Sequence, residues 1–265
     1  MSVPSDVWAA GSAYEPYVGR WSRLVAREFV GWLAPSPGAR WLDVGCGTGA
    51  LTSTVLAAAA PARVWSVDSS PAYVAFARGG IPDARATFAV ADARKLPVPA
   101  ASADMVVSGL VLNFVPEPEV AVVEMARVAR SAGTVALYVW DYAGEMQLIR
   151  HFWDAAIALD ARAAELDEGR RFPVCRPPAL EGLLGAAGLE RVESRPIDVS
   201  ARFRDFSDYW TPFLGGQGPA PGYAMSLGEH ERARLRDRLR ARLPTSRDGS
   251  IELVVRAWAV RGRRP

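Results

Sequence analysis

Two cysteines and two histidines in 265 residues leave little material for several kinds of chemistry. Cys46 and Cys175 are too few for a disulfide framework, and neither belongs to a CxxC pair. With so few histidines and no tight carboxylate cluster, a metal-assisted mechanism has no ready ligand set. Charge of one sign is scarce too: 31 Lys and Arg stand against 29 Asp and Glu, a net charge of +2. A protein that neutralises many phosphates carries a basic excess, so nucleic acid is not an expected partner. No window approaches the roughly 18 apolar residues that suggest a membrane span. The N-terminus lacks the basic segment and apolar run of an export signal. The sequence therefore reads as soluble and cytoplasmic, with no membrane partner.

What the chain does have is apolar material, half of its residues, enough for one large core. A single domain over 1–265 is the expectation. The most informative stretch is WLDVGCGTGALT, residues 41–52, where an apolar strand runs into Gly45, Gly47 and Gly49 and then into a helix. Glycine has no Cβ, so such a turn lets a ligand approach the main chain closely. The spacing is GxGxG, tighter than the GxGxxG dinucleotide fingerprint that opens a helix under a pyrophosphate. Cys46 invites a nucleophile reading, which needs a base or a depressed pKa. No histidine stands near it in sequence, and a small side chain between two glycines is the simpler reading.

Two later segments, VWSVDSSP at 64–71 and FAVADARKLPVP at 88–99, complete a pattern with the glycine turn. With Asp43 two residues before the first glycine, the three together resemble class I S-adenosylmethionine (SAM)-dependent methyltransferases, of the small-molecule branch with a ubiquinone/menaquinone methyltransferase-like core. The resemblance covers roughly residues 38–140. It implies an α/β fold: a Rossmann-like, doubly wound, mostly parallel seven-stranded sheet with an antiparallel final strand and helical cap insertions. It also implies SAM as cofactor, S-adenosylhomocysteine as product and a small-molecule acceptor.

The resemblance carries over to particular residues. Asp43, Gly45, Cys46 and Gly47 form the glycine turn that meets the cofactor. Asp68, at the end of the second strand with Ser69 beside it, stands where a carboxylate accepts hydrogen bonds from both ribose hydroxyls. The same carboxylate would serve NAD, so it does not choose the cofactor by itself. Asp92 matches the aspartate facing the adenine amino group, and the main-chain amide of Ala93 reaches a ring nitrogen. Leu110 lies on the exit of the fourth strand, where the family holds the methionine half of the cofactor. At Asn113 and Phe114 relatives often carry a histidine or an aromatic. Here an amide and a phenyl face either ligand or core, and the sequence leaves both open.

Around this core, residues 1–34 read as an N-terminal helical cover. Trp21, Leu24, Val25, Phe29 and Trp32 fall at helical spacing, and Tyr17 is a cofactor-contact candidate. Thr48 is positioned to cap the helix after the turn. Val120, Val123 and Ala126 are the expected packing face of PEVAVVEMARVAR, and Ser131 and Ala132 replace the proline and glycine usual in the following turn. Residues 141–174 and 200–249 read as cap or lid insertions. Met146, Ile149, Trp153, Ala156 and Ile157 make one apolar helical face. Phe203, Phe206, Tyr209, Trp210 and Phe213 either line a substrate cavity or pack as core. The arginines between Glu229 and Leu243 are spread around a Leu235, Leu239, Leu243 stripe, the pattern of a solvated surface helix.

Methyl transfer from a sulfonium asks the protein mainly for alignment, since the cofactor supplies the reactive carbon. Candidate bases for the acceptor's proton are His151, then Tyr142 and Asp141. The alternatives are a SAM-using enzyme of another outcome, cyclisation or aminocarboxypropyl transfer, a noncatalytic SAM-binding protein, and a nicotinamide oxidoreductase.

Overall fold

The computed structural model describes residues 18–215 and 218–265, so Tyr17 lies outside the described residues. Seven strands form one sheet: β1 (Arg40–Val44), β2 (Arg63–Asp68), β3 (Ala86–Val90), β4 (Ala103–Gly109), β5 (Ala129–Trp140), β6 (Glu190–Phe203) and β7 (Ile251–Arg263). Their order is β3-β2-β1-β4-β5-β7-β6. The pairs β1–β2, β1–β4, β2–β3 and β4–β5 are parallel, and β7 runs antiparallel to β5 from Thr134 opposite Arg263 to Trp140 opposite Ala257. Strands covered on both faces read as continuous apolar runs. Accordingly Leu42 and Val44 of β1, Val106 and Val107 of β4 and Val135 to Val139 of β5 are all buried.

By contact the chain divides into two compact units. The first in importance for chemistry, here the sheet unit, comprises Ser22–Trp140, Val174–Ile197 and Ala257–Pro265. The other, the insertion unit, takes Asp141–Pro173 and Asp198–Arg256 together with residues 18–21. In the sheet unit, helices Ala50–Ala58, Pro71–Gly80 and Pro118–Val128 each follow a strand of the parallel set. Phe29, fully buried, meets Tyr138 with ring centroids 4.7 Å apart.

The insertion unit has an aromatic core. Phe152 of helix Gln147–Ile157 stacks on Phe213 at 4.7 Å and 10°, and Tyr209 lies 5.3 Å from both Phe203 and Phe213. The Tyr209 hydroxyl donates to the Leu148 carbonyl at 2.9 Å, which satisfies its one polar group. Helix Glu229–Arg242 buries Leu235 and Leu239 and leaves Arg234, Arg238, Arg240 and Arg242 exposed, while Arg232 donates to the Ala224 and Leu227 carbonyls.

Several local expectations need correction. Helix Ala50–Ala58 is capped by Gly49 in the left-handed conformation (φ 88°), with no side-chain cap, so Thr48 does not play that part. On Pro118–Val128 the buried face is Ala121, Val122, Met125 and Ala126; Val120 and Val123 point outward, one helical step out of phase with the expected stripe. Leu24 is likewise exposed, because the 4-residue step Trp21, Val25, Phe29 sets the buried side of its helix. Where a proline–glycine turn was replaced, Ala132 itself takes φ +57° inside β5. Of the two readings left open for the aromatic run, Phe203, Tyr209, Trp210 and Phe213 are buried as core.

Candidate functional site

In open parallel sheets ligands bind outside the carboxyl ends of the strands, and β1, β2 and β4 bring their ends together through adjacent pairings. The β1 end turns sharply: Gly45 and Cys46 both donate their amides to the Val67 carbonyl of β2, at 2.7 and 2.9 Å. Gly45, Gly47 and Gly49 all have positive φ. Gly45 is also sterically committed, since a Cβ there would lie 2.5 Å from the Val111 side chain. The turn is thus pressed against the segment leaving β4.

Asp68 at the end of β2 accepts from the Gly47 amide at 2.9 Å through Oδ2 and from the Ser70 amide at 2.8 Å through Oδ1. It therefore fixes the turn and the start of helix Pro71–Gly80 at once. Ser70 is the cap of that helix, through the Tyr73 amide, while Ser69 is exposed beside it. Burial, helped by Asp68, pushes the Tyr73 hydroxyl up to about 12.

Asp43 is completely buried. Its Oδ2 accepts from the Thr52 hydroxyl at 2.7 Å, and Thr52 in turn meets the Ser66 hydroxyl at 2.8 Å. Oδ1 has no partner. Burial raises the Asp43 carboxyl to about 7, with the Thr52 hydrogen bond opposing and the Asp68 charge adding. Burial and the same two carboxylates push the Cys46 thiol well above its ordinary range, which removes the nucleophile reading.

At the β3 end, the Asp92 carboxylate is forked by Arg94, with Nη2 to Oδ2 at 2.7 Å, and Arg94 also reaches Glu117 at 2.9 Å. The Arg94 hydrogen bonds hold Asp92 down at about 2. Ala93 follows it, partly exposed, and the Ala91 amide is tied to the Asp68 carbonyl at 2.9 Å. Leu110 leaves β4 with φ +62° and donates its amide to the Tyr138 carbonyl at 2.8 Å. Past it, the short 3-10 turn Leu112–Phe114 carries Asn113, whose Oδ1 and Nδ2 are both sealed from solvent and unpartnered.

So Asp43, Gly45, Cys46, Gly47, Asp68, Ser69, Asp92, Ala93 and Leu110 all lie at the strand ends of the sheet unit. His151 and Tyr142 belong to the insertion unit. Burial lowers the His151 pKa, with Arg242 adding to the effect and Asp154 opposing it, so the ring is neutral at pH 7. Tyr142 is buried against Phe172, 5.7 Å between ring centroids. The insertion unit has a cavity of about 480 Å³, lined by Arg20, Arg204, Asp205, Ser207, Asp208 and Thr211 together with Pro212 and Gly215.

The Thr52–Ser66 support of Asp43 was not read from the sequence. Its signal was available in strand pairing, because Asp43 and Ser66 are register partners across β1 and β2. The buried Glu168 gave no signal at all, lying in a run of surface-type residues. Among the described residues no group of three or more His, Cys, Asp or Glu is placed to hold a metal, and no helix is long and apolar enough to cross a membrane.

The family model described as "Methyltransferase domain" matches residues 42–137. A demethylmenaquinone methyltransferase from Roseiflexus is 31% identical over 189 residues, 63% of this chain and 75% of that protein. A malonyl-[acyl-carrier protein] O-methyltransferase from Hahella chejuensis is 36% identical over 92 residues, 35% of this chain; the chain spans only 33% of that relative's length. Among solved structures, the cyclase SpnF superposes with a TM-score of 0.56 at 23% identity, over 93% of this chain and 81% of that one, a likeness of fold. The glycine turn, the acidic strand ends and these relatives agree: the chain belongs to the class I SAM-dependent methyltransferases.

Proposed function

We propose that the protein transfers a methyl group from SAM to a small-molecule acceptor. The observation that carries this reading is the orphaned Oδ1 of Asp43, buried at the strand ends beside a glycine turn. A buried carboxylate oxygen without a partner is costly, and the cost is offset when a ligand brings a positively charged donor. The cofactor's ammonium is such a donor. Asp68 serves the ribose hydroxyls, Asp92 with the Ala93 amide serves the adenine, and the main chain of Gly45, Cys46 and Gly47 with Leu110 lines the remainder. Ser69 and Tyr17 complete the proposed contacts.

When bound, the cofactor supplies a methyl carbon activated by a sulfonium. The chain's own task is to align the acceptor and exclude water, which is where proximity contributes most. With the acceptor so aligned, the chain would have to take up the proton that the acceptor loses on methylation. His151, held neutral by its surroundings, is the proposed base, with Tyr142 second. Segments 141–174 and 200–249 are proposed as the cap insertions that select the acceptor within a single catalytic domain, and the enzyme is proposed to work in the cytoplasm.

Incubation with SAM and an acceptor panel, followed by mass spectrometry, tests the reaction. S-adenosylhomocysteine with an acceptor heavier by one CH2 supports it. Methylthioadenosine would assign aminocarboxypropyl transfer instead, and intact SAM beside an isomerised partner would assign cyclisation.

A further inference from the structure

The Asn113 amide is the second orphan at these strand ends. Both its Oδ1 and its Nδ2 are buried without a hydrogen-bond partner. The great majority of buried polar side chains are partnered, and an unpaired one costs the full desolvation of the group. A residue doubly unsatisfied in this way destabilises the free protein, and nothing among the described residues supplies the missing partners.

Its placement says what. Asn113 stands four residues beyond the end of β4, in the turn Leu112–Phe114. That turn is anchored on both sides. Leu112 is buried, the Phe114 amide donates to the Val111 carbonyl at 2.8 Å, and Val111 fills the space a Cβ would need at Gly45. The amide is therefore held on a rigid support against the glycine turn, at the carboxyl edge of the sheet where ligands bind.

The chemistry of the group narrows the ligand. A primary amide presents a donor and an acceptor side by side, with no charge. The cofactor's amino-acid end is zwitterionic and is matched by the charged Asp43. A neutral donor–acceptor pair matches a neutral ligand with the complementary pair on neighbouring atoms.

We infer that Asn113 is a specificity-determining residue that recognises the acceptor, and that the acceptor carries a hydroxyl or N–H donor adjacent to a carbonyl oxygen. The inference rests on the SAM-binding reading above and deepens it. A site whose buried donor and acceptor are both left empty by the wrong ligand discriminates strongly against analogues that lack the pair.

Asn113→Leu and Asn113→Ser test it on the full chain, with S-adenosylhomocysteine binding by calorimetry and ligand-observed NMR of two probes on the saturated protein. Salicylamide has a hydroxyl beside a carboxamide; toluene has the ring without the pair. Wild type is expected to bind S-adenosylhomocysteine and salicylamide. Asn113→Leu is expected to keep the S-adenosylhomocysteine affinity, weaken salicylamide about tenfold or more, leave toluene unchanged and melt at a higher temperature, because an orphaned amide has been removed. Asn113→Ser, which retains one donor–acceptor hydroxyl, is expected to fall between. Salicylamide binding equally to all three, or not at all to wild type, overturns the inference. So does a loss of S-adenosylhomocysteine affinity or a lower melting temperature in Asn113→Leu, which would make the amide a cofactor or structural contact. If wild type fails to bind S-adenosylhomocysteine, the cofactor reading itself has failed.

Discussion

Each unit of the molecule contains a buried carboxylic acid whose pKa burial raises, Glu168 in one and Asp43 in the other, and the two are treated differently. In the insertion unit Glu168 is 1% exposed, and burial raises it to about 8. Yet it is provided for: the Trp153 indole donates to its Oε2, and a backbone amide adds a hydrogen bond. In the sheet unit Asp43 is raised by burial to about 7 and has one oxygen with no partner. Completing the bonds around a buried acid is what a core does; leaving one open at the edge of a parallel sheet is what a binding site does. Burial and a raised pKa alone do not mark function here. The missing hydrogen bond does.

The difference can be broken at its steric base first. Gly45→Ala would put a Cβ 2.5 Å from Val111 at φ +76°. Strain in the left-handed region and overpacking together are expected to cost roughly 2 to 5 kcal/mol, measured by denaturant unfolding, with SAM binding lost. Stability within a few tenths of wild type would mean that the turn is not pressed against the β4 exit.

Asp43→Asn probes the open oxygen. It is expected to weaken SAM by about 1.5–3 kcal/mol, the worth of a charged hydrogen bond. The pH dependence supplies a second reading. In the free protein the carboxyl titrates near 7, and a bound cation favours its ionised form, so wild-type affinity should rise as pH climbs from about 6 to about 7.5, with a proton released. In Asp43→Asn that rise should vanish, and a persistent rise would assign it to another group.

On binding Glu168→Gln has the smallest effect, since it concerns stability alone. A carboxyl raised from 4.5 to about 8 binds its proton more tightly folded than unfolded. It thus favours the fold fully below pH 4.5, and that contribution is lost as pH rises through about 8. Unfolding free energies across this window should fall with pH in wild type and fall less in the variant, whose remaining slope should end near pH 7, where Asp43 has titrated. SAM affinity is expected to be untouched; a loss would place Glu168 in binding and erase the contrast.

The sheet unit was largely legible because its signals are local. Apolar runs of five or six residues, glycines that need positive φ and acids at strand ends each report on their own position. What escaped is pairwise: the Thr52 hydroxyl reaches Asp43 from the following helix, and the register of β1 and β2 sets Ser66 opposite Asp43, where its hydroxyl meets that of Thr52. Helix phase misled because apolar residues stand at four consecutive positions, Val120 to Val123, and only packing decides that Ala121 and Val122 go in while Val120 and Val123 stay out. Ala132 kept the backbone shape of the glycine it replaces, φ +57°, which a sequence does not display. In the insertion unit the aromatic spacing suits a cavity wall and a core equally, and only the packing of Phe152, Tyr209 and Phe213 decides for core.

The most direct test of the sheet unit as a SAM site is calorimetric titration of SAM into wild type, Asp68→Ala and Asp68→Asn, with melting temperatures taken alongside. Asn retains an oxygen for the Gly47 or Ser70 amide, so it separates loss of the turn from loss of the ligand contact. Wild type should bind, and both variants should lose about 2–4 kcal/mol, roughly 30- to 1000-fold, as the ribose hydroxyls lose a charged acceptor. Undiminished affinity in a folded Asp68→Ala, or no binding by wild type, would contradict the assignment.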